Sequence, residues 1–146
     1  MELTNTIMLK IAGYINIIIA IAHVIGLFWA DRMFEVTGIG KEMTELGQKH
    51  VALPYLLTIF VSIVFFIFGL YGLSADNKYS RIPFLKPVIF CIAGIYLLRG
   101  FGELIFDLQK QQANPFLEIT YSVIAILIGF LFLMGGIKKW RTNEDL

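Results

Sequence analysis

Four long apolar segments dominate this sequence and limit what it can fold into. They span residues 7–30, 52–73, 84–106 and 117–137. Each is close to the length of about 20 residues that a helix needs to cross about 30 Å of hydrocarbon. Backbone amides and carbonyls find no water in lipid, so each segment must pair them internally as a helix. The sequence therefore predicts an all-α integral membrane protein, an up-down bundle of four transmembrane helices.

The composition agrees with a chain that lies almost wholly in the bilayer. Of its 146 residues, 58% are hydrophobic and 16% are charged, whereas a soluble domain has about 25% charged residues. Four spans use most of this length, so we expect one transmembrane domain over residues 1–146 and no separate soluble domain. A formal net charge of +1 without a basic run gives no indication of nucleic-acid binding.

Proline residues mark the starts of the predicted spans. Pro54 lies in the first turn of the second span, Pro83 and Pro87 open the third, and Pro115 precedes the fourth. The connections after the second and third spans are short, which predicts antiparallel neighbours.

The longest predicted connection is the outer loop of residues 31–51. Within it, the pattern of residues 41–46 favours a short helix at the membrane interface, with Met43 and Leu46 toward lipid. The remaining side chains of this stretch are mostly charged or polar.

Basic residues near the span ends predict the orientation. The side with both termini carries Lys78, Arg81, Lys86, Lys138, Lys139 and Arg141. The opposite side carries Arg32, Lys41, Lys49 and Lys110. Because basic residues are retained on the cytoplasmic side, both termini are predicted to be cytoplasmic.

Three strings of this sequence resemble those of a family of short four-span bacterial inner-membrane proteins whose function is uncharacterised. They are GLYGLSA at 69–75, RIPFL at 81–85 and IYLLRG at 95–100. The layout is also similar to DoxX-like proteins, some of which are linked to quinone-dependent oxidation, but no DoxX catalytic motif matches here. The resemblance implies a multi-pass protein of the bacterial inner (plasma) membrane and transfers no catalytic residue.

A few polar residues interrupt the spans at similar predicted depths. His23 and Arg99 each lie about 10 Å below the outer ends of their helices, and Thr58 lies about 9 Å below its own. An arginine at a helix centre costs roughly 2.5–3.5 kcal/mol on insertion scales, so we expect such groups to face protein. The prediction is an outer-leaflet polar pocket, with Arg99 as the cationic anchor. Its predicted ligand-binding residues are His23, Tyr55, Thr58, Tyr96, Arg99, Glu103, Glu118 and Ser122.

Each of these groups also has a structural interpretation. Arg99 and Glu103 are four residues apart on one helix and can neutralise each other. His23 can be a hydrogen-bonded packing residue, and hydroxyls such as those of Thr58 and Ser62 ordinarily bond to their own helix. Glu118 fits an interfacial charge near a helix N-terminus.

Two functions therefore remain open from the sequence. The first is binding or movement of a small amphipathic or anionic ligand, of the lipid or quinone class. The second is an accessory or homo-oligomeric membrane subunit whose polar layer only packs helices; it predicts that Ala125 and Gly129, or Ala22 and Gly26, lie at a helix contact. Membrane lipid is the expected partner in both.

An enzymatic interpretation is the weakest of the three. It would make His23 a general base oriented by Glu103, but neither a nucleophile nor a set of metal ligands completes it. The sequence contains no G-x-S-x-G, P-loop or GxGxxG motif. It therefore predicts no cofactor and assigns no catalytic or metal-binding residue.

Overall fold

The computed structural model describes residues 2–75, 82–109 and 115–141. These residues form helices joined by short turns, and four of the helices are long and apolar enough to cross a membrane. The prediction of an all-α bundle with four spans is confirmed. In chain order the elements are α1 (Glu2–Gly26), a 3-10 turn (Leu27–Trp29), α2 (Ala30–Val36), α3 (Gly40–Lys49), α4 (Leu53–Leu73), α5 (Leu85–Gln109) and α6 (Pro115–Arg141).

The first apolar segment is not one continuous helix. The sequence predicted a helix over 7–30, but α1 ends at Gly26 and a 3-10 turn follows. The Met33 side chain of α2 fills the space beside Gly26, so that an added Cβ would collide with its sulfur. Hydropathy alone does not reveal this break, because the residues on both sides of it are apolar.

The outer connection is more ordered than its sequence suggested. Most of residues 31–51 belong to α2 and α3, and the short helix expected at 41–46 lies within α3. Met43 and Leu46 are half-buried, whereas the charged side chains of α3 are exposed. The second and third connections, with Lys78, Arg81 and Lys110, lie outside the described residues apart from their ends.

Glycines bring α1 and α4 into backbone contact. A Cβ added at Gly72 would lie 2.7 Å from the Cα of Gly13, and one at Gly69 would lie 3.0 Å from the Gly13 carbonyl oxygen. Small residues permit this close approach, which is how helices pack in lipid without a hydrophobic driving force.

A second close pair is formed by α5 and α6. Gly100 packs against Ile126, and Gly129 packs against Leu97. Ala125 is buried at this contact, so the expectation that Ala125 and Gly129 lie at a helix contact is confirmed. The other candidate pair behaves differently, since Ala22 is exposed and Gly26 meets α2 rather than a neighbouring span.

The two pairs join through α1 and α6, leaving one loosely packed side. Leu9 of α1 packs on Gly135 of α6, and both border the apolar core that contains Ile92 and Phe132. In contrast, α4 and α5 share few contacts along their lengths. We call this side the α4–α5 seam. Its α4 wall contains Phe65 and Phe68, which contact Tyr96 of α5. Helical spacing places Val61, four residues before Phe65, on the same face.

Candidate functional site

A hydrogen bond between Asn16 and Tyr96 lies at the centre of the bundle. The Tyr96 hydroxyl donates to Asn16 Oδ1 over 2.6 Å, and Asn16 Nδ2 donates to the Ala12 carbonyl over 2.8 Å. Asn16 is fully buried and Tyr96 is 4% exposed. This bond links α1 to α5 across the bundle and satisfies the polar atoms that would otherwise be stranded in an apolar interior.

Asn16 was not among the site residues predicted from the sequence. It lies seven residues before His23, which returns it to nearly the same helix face. An amide inside an apolar span is itself a signal, because it needs a partner on another helix. That partner, Tyr96, was predicted as a ligand-binding residue, and in the structure its hydroxyl bonds to Asn16.

Aromatic side chains close the deeper part of the α4–α5 seam. The Tyr96 ring lies 6.4 Å from the Phe65 ring and 6.1 Å from the Phe68 ring, between centroids. On its other side it stacks on Phe132 of α6 at 6.3 Å. Tyr96 thus spans the gap between α4 and α6, and the seam is sealed at its level by rings rather than by backbone contact.

Two hydroxyls of α4 bond differently from each other. Thr58 donates to the Pro54 carbonyl of its own helix over 2.9 Å, as expected for a hydroxyl in lipid. Ser62 instead donates across to the Ala20 carbonyl of α1 over 2.8 Å. The expectation for Ser62 was therefore wrong, because the close α1–α4 packing brings a carbonyl of the neighbouring helix within reach.

His23 is half-buried on α1, above the central hydrogen bond. Its Nδ1 lies 2.8 Å from the Ile19 carbonyl oxygen, and its ring lies 5.2 Å from the Phe65 ring. A carbonyl oxygen can only accept, so Nδ1 must carry the proton. In the neutral ring Nε2 is then a hydrogen-bond acceptor, and no described residue bonds to it.

Arg99 and Glu103 form an ion pair along α5. Arg99 Nε donates to Glu103 Oε1 over 3.0 Å. The side chains remain 53% and 43% exposed, respectively. Among the described residues no hydrogen bond or ion pair joins Arg99 to His23, and none engages the Arg99 amino groups or Glu103 Oε2.

The helix register shows which polar groups share a level. Because α1 and α5 run in the same direction, residues seven positions after Asn16 and Tyr96 rise by the same amount, about 10 Å. These residues are His23 and Glu103, and seven positions return each to the inward face. Arg99 lies about 6 Å lower than Glu103 along the axis, so the level of His23 is that of Glu103 rather than that of Arg99.

The remaining predicted site residues are less tightly grouped. Ser122 is fully buried on α6, beside Gly100 of α5. Tyr55 is 41% exposed near the N-terminal end of α4. Glu118 belongs to α6, but its side chain lies outside the described part of the chain.

This arrangement offers hydrogen bonding and charge rather than an evident reactive centre. Within the described ranges, no three His, Cys, Asp or Glu residues come together as metal ligands. Within the described residues, the Arg99 amino groups, Glu103 Oε2 and His23 Nε2 have no hydrogen-bond partner, and the His23 ring contacts Phe65 of the seam. No family model, curated protein or solved structure matches this chain.

Proposed function

We propose that this membrane protein binds a small amphipathic molecule of the lipid class, whose polar head enters sideways through the outer half of the α4–α5 seam and pairs with Arg99 and Glu103. The observation that carries the proposal is the exposure of this ion pair, 53% and 43% by side chain, on an apolar helix. A ligand head of complementary charge would take the place of the missing protein partners.

The position of Arg99 around α5 supports entry from the seam. Leu97 and Gly100 face α6. Arg99 follows Tyr96 by three residues, a rotation of about 60° in the reverse sense, whereas Leu97 is rotated about 100° forwards; Arg99 therefore lies about 160° from Leu97, on the flank of the helix away from α6. That flank is the one next to α4, where Tyr96 meets Phe65 and Phe68.

The energetic cost of the pair also favours a polar occupant. Arg99 lies about 10 Å inside the apolar end of α5 at Phe106. A charged side chain at such a depth is expensive unless it reaches the headgroups, pairs or faces a polar cavity. Pairing with Glu103 neutralises the net charge but leaves the remaining donors and acceptor unsatisfied in hydrocarbon.

A second candidate function is a packing scaffold or accessory subunit, in which the polar groups only hold helices together. The bonds of Tyr96 to Asn16 and of Ser62 to Ala20 favour it, since each joins two spans. Arg99 would then extend to the headgroup layer with its aliphatic stem in lipid. A homo-oligomer or a larger complex would be its setting.

For the location we propose the bacterial plasma membrane, with both termini in the cytoplasm. The resemblance to four-span inner-membrane proteins, and in layout to DoxX-like proteins, supports the first part. The cluster of Lys138, Lys139 and Arg141 at the end of α6 supports the second.

Cysteine labelling tests this orientation in a Cys91→Ser background. Lys41→Cys should react with an impermeant maleimide on intact cells, and Lys138→Cys should react only after lysis. The reverse pattern would refute this orientation.

Native mass spectrometry with one anionic and one neutral probe tests the binding proposal. Hexadecyl phosphate and hexadecanol share a chain and differ in the head. We expect the wild type to retain hexadecyl phosphate preferentially, and Arg99→Gln to reduce that retention at least tenfold. Lys49→Gln removes an exposed charge from α3 on the same side and is the matched control. Equal retention by all three proteins would leave the scaffold as the better description.

A further inference from the structure

We infer that the head bound at this site is zwitterionic, a phosphate next to a primary ammonium, so that the ligand is an aminophospholipid of the phosphatidylethanolamine type. This inference rests on the proposed function, because it assumes that Arg99 and Glu103 meet a lipid head. It goes further by naming the chemistry of that head.

The ion pair offers one charge of each sign. The Arg99 amino groups are donors suited to phosphate oxygens, which a guanidinium binds in a bidentate manner. Glu103 Oε2 is an acceptor with a negative charge, and no described residue bonds to it. A purely anionic head would satisfy Arg99 but would leave Glu103 Oε2 without a donor, whereas a zwitterion satisfies both.

His23 adds a second acceptor at the level of Glu103. The bond from Nδ1 to the Ile19 carbonyl fixes the proton on Nδ1, and Nε2 is left with its lone pair. Asn16 and Tyr96 point toward each other inside the bundle. His23 lies seven residues after Asn16 and Glu103 lies seven residues after Tyr96, so both also point inward. Two acceptors on the inward face select a head that carries several N–H donors.

The neighbouring ring favours a cation at the same place. Phe65 lies 5.2 Å from the His23 ring, between centroids, and belongs to the α4 wall of the seam. The face of an aromatic ring attracts an ammonium group. A trimethylammonium group could use the ring but not the two hydrogen-bond acceptors, so the site should prefer a primary ammonium to choline.

A headgroup series tests this inference on the unmodified protein. Phosphatidylethanolamine, its monomethyl and dimethyl derivatives and phosphatidylcholine, all with the same acyl chains, lose N–H donors stepwise. We expect retention by native mass spectrometry to fall along the series, at least fivefold from the first lipid to the last. Equal retention of all four lipids would overturn the inference.

Two variants separate this inference from the proposed function. Glu103→Gln should bring the preference for ethanolamine over choline close to unity, while Arg99→Gln should reduce retention of every phospholipid. Glu45→Gln removes an exposed carboxylate of α3 and is the control; it should change neither the ethanolamine preference nor the overall retention.

The outcomes distinguish the two proposals. If retention depends on Arg99 but phosphatidylglycerol is retained as well as phosphatidylethanolamine, the headgroup inference fails and the binding proposal stands. If no phospholipid depends on Arg99, both fail.

A soluble competitor distinguishes a lipid from a free metabolite with the same head. Free phosphoethanolamine carries the charges but no acyl chains. We expect it to displace the lipid at least a hundredfold less effectively than lyso-phosphatidylethanolamine. Equal displacement by both would show that the chains contribute nothing and would overturn the assignment to a phospholipid.

Discussion

Tyr96 donates a hydrogen bond to Asn16 over 2.6 Å, and both side chains are buried where α1 faces α5. One turn beyond Tyr96, the Arg99–Glu103 pair is exposed instead. The polar groups of the bundle thus fall into two sets. One set is saturated and holds helices together, and the other is an exposed ion pair.

Removing the Tyr96 hydroxyl should destabilise the fold. In Tyr96→Phe the ring contacts remain, but Asn16 Oδ1 loses its donor in an apolar interior. Hydrogen bonds between membrane helices contribute on average about 0.6 kcal/mol and at most about 1.7 kcal/mol, so we expect a loss near 1 kcal/mol. Reversible unfolding in mixed micelles measures it.

The matched control is Tyr14→Phe, because Tyr14 is 60% exposed on the same helix as Asn16 and should lose nothing measurable. A double-mutant cycle with Asn16→Ala isolates the pair from other effects of each substitution. Strictly additive losses in that cycle would show that the bond contributes nothing.

We expect an added methyl group at the contact between α1 and α4 to lower the stability of the protein. In Gly72→Ala the new Cβ would lie 2.7 Å from the Gly13 Cα and from the Leu9 carbonyl oxygen, so the helices must separate. Overpacking of this kind costs about 1–3 kcal/mol. The thermal midpoint of the purified protein should fall accordingly.

Gly94 provides the comparison for that substitution. A Cβ added there meets nothing within 4 Å. Gly94→Ala should leave stability unchanged or raise it by up to about 1 kcal/mol, because alanine is the better helix former. Similar losses at Gly72 and Gly94 would contradict the close α1–α4 crossing.

Phe84 has a backbone conformation that favours glycine. Its φ is +57°, and it is the one non-glycine residue with positive φ in the described ranges. Left-handed backbone costs an L-residue about 1–2 kcal/mol. We therefore expect Phe84→Gly to be more stable than Phe84→Ala by about 1 kcal/mol, although both lose the same exposed ring. The opposite order, which is normal inside helices, would show that this turn is not strained.

The sequence was sufficient to predict the spans and much of the polar layer, because hydrocarbon thickness sets span length and buried polar groups are rare. It did not predict the 3-10 turn after Gly26, at the end of which Trp29 leaves helical backbone geometry (φ −131°, ψ 49°). It also placed His23 level with Arg99, whereas the register set by Asn16 and Tyr96 aligns His23 with Glu103. This register is the relative position of α1 and α5 along the bundle axis. It cannot be obtained by counting residues from the end of each helix separately.

The exposure of Arg99 was likewise beyond the sequence. Spacing showed that Arg99 and Glu103 can pair, and they do. Whether the pair is buried depends on how closely α4 approaches α5. In the structure the Phe65 and Phe68 rings of α4 meet the Tyr96 ring of α5, and these contacts between helices cannot be read from the spacing along one helix.

Site-specific photo-crosslinking on α4 tests the central claim most directly. Val61 and Phe60 are consecutive residues, about 12 and 10.5 Å along the helix from Leu53, but Val61 shares the helix face of Phe65 and Phe68, whereas Phe60 is 63% exposed on another face. With p-azidophenylalanine at each position in a phosphatidylethanolamine bilayer, we predict adducts through the lipid headgroup or glycerol at position 61 and through acyl chains alone at position 60. Acyl-chain adducts alone at both positions would contradict the account.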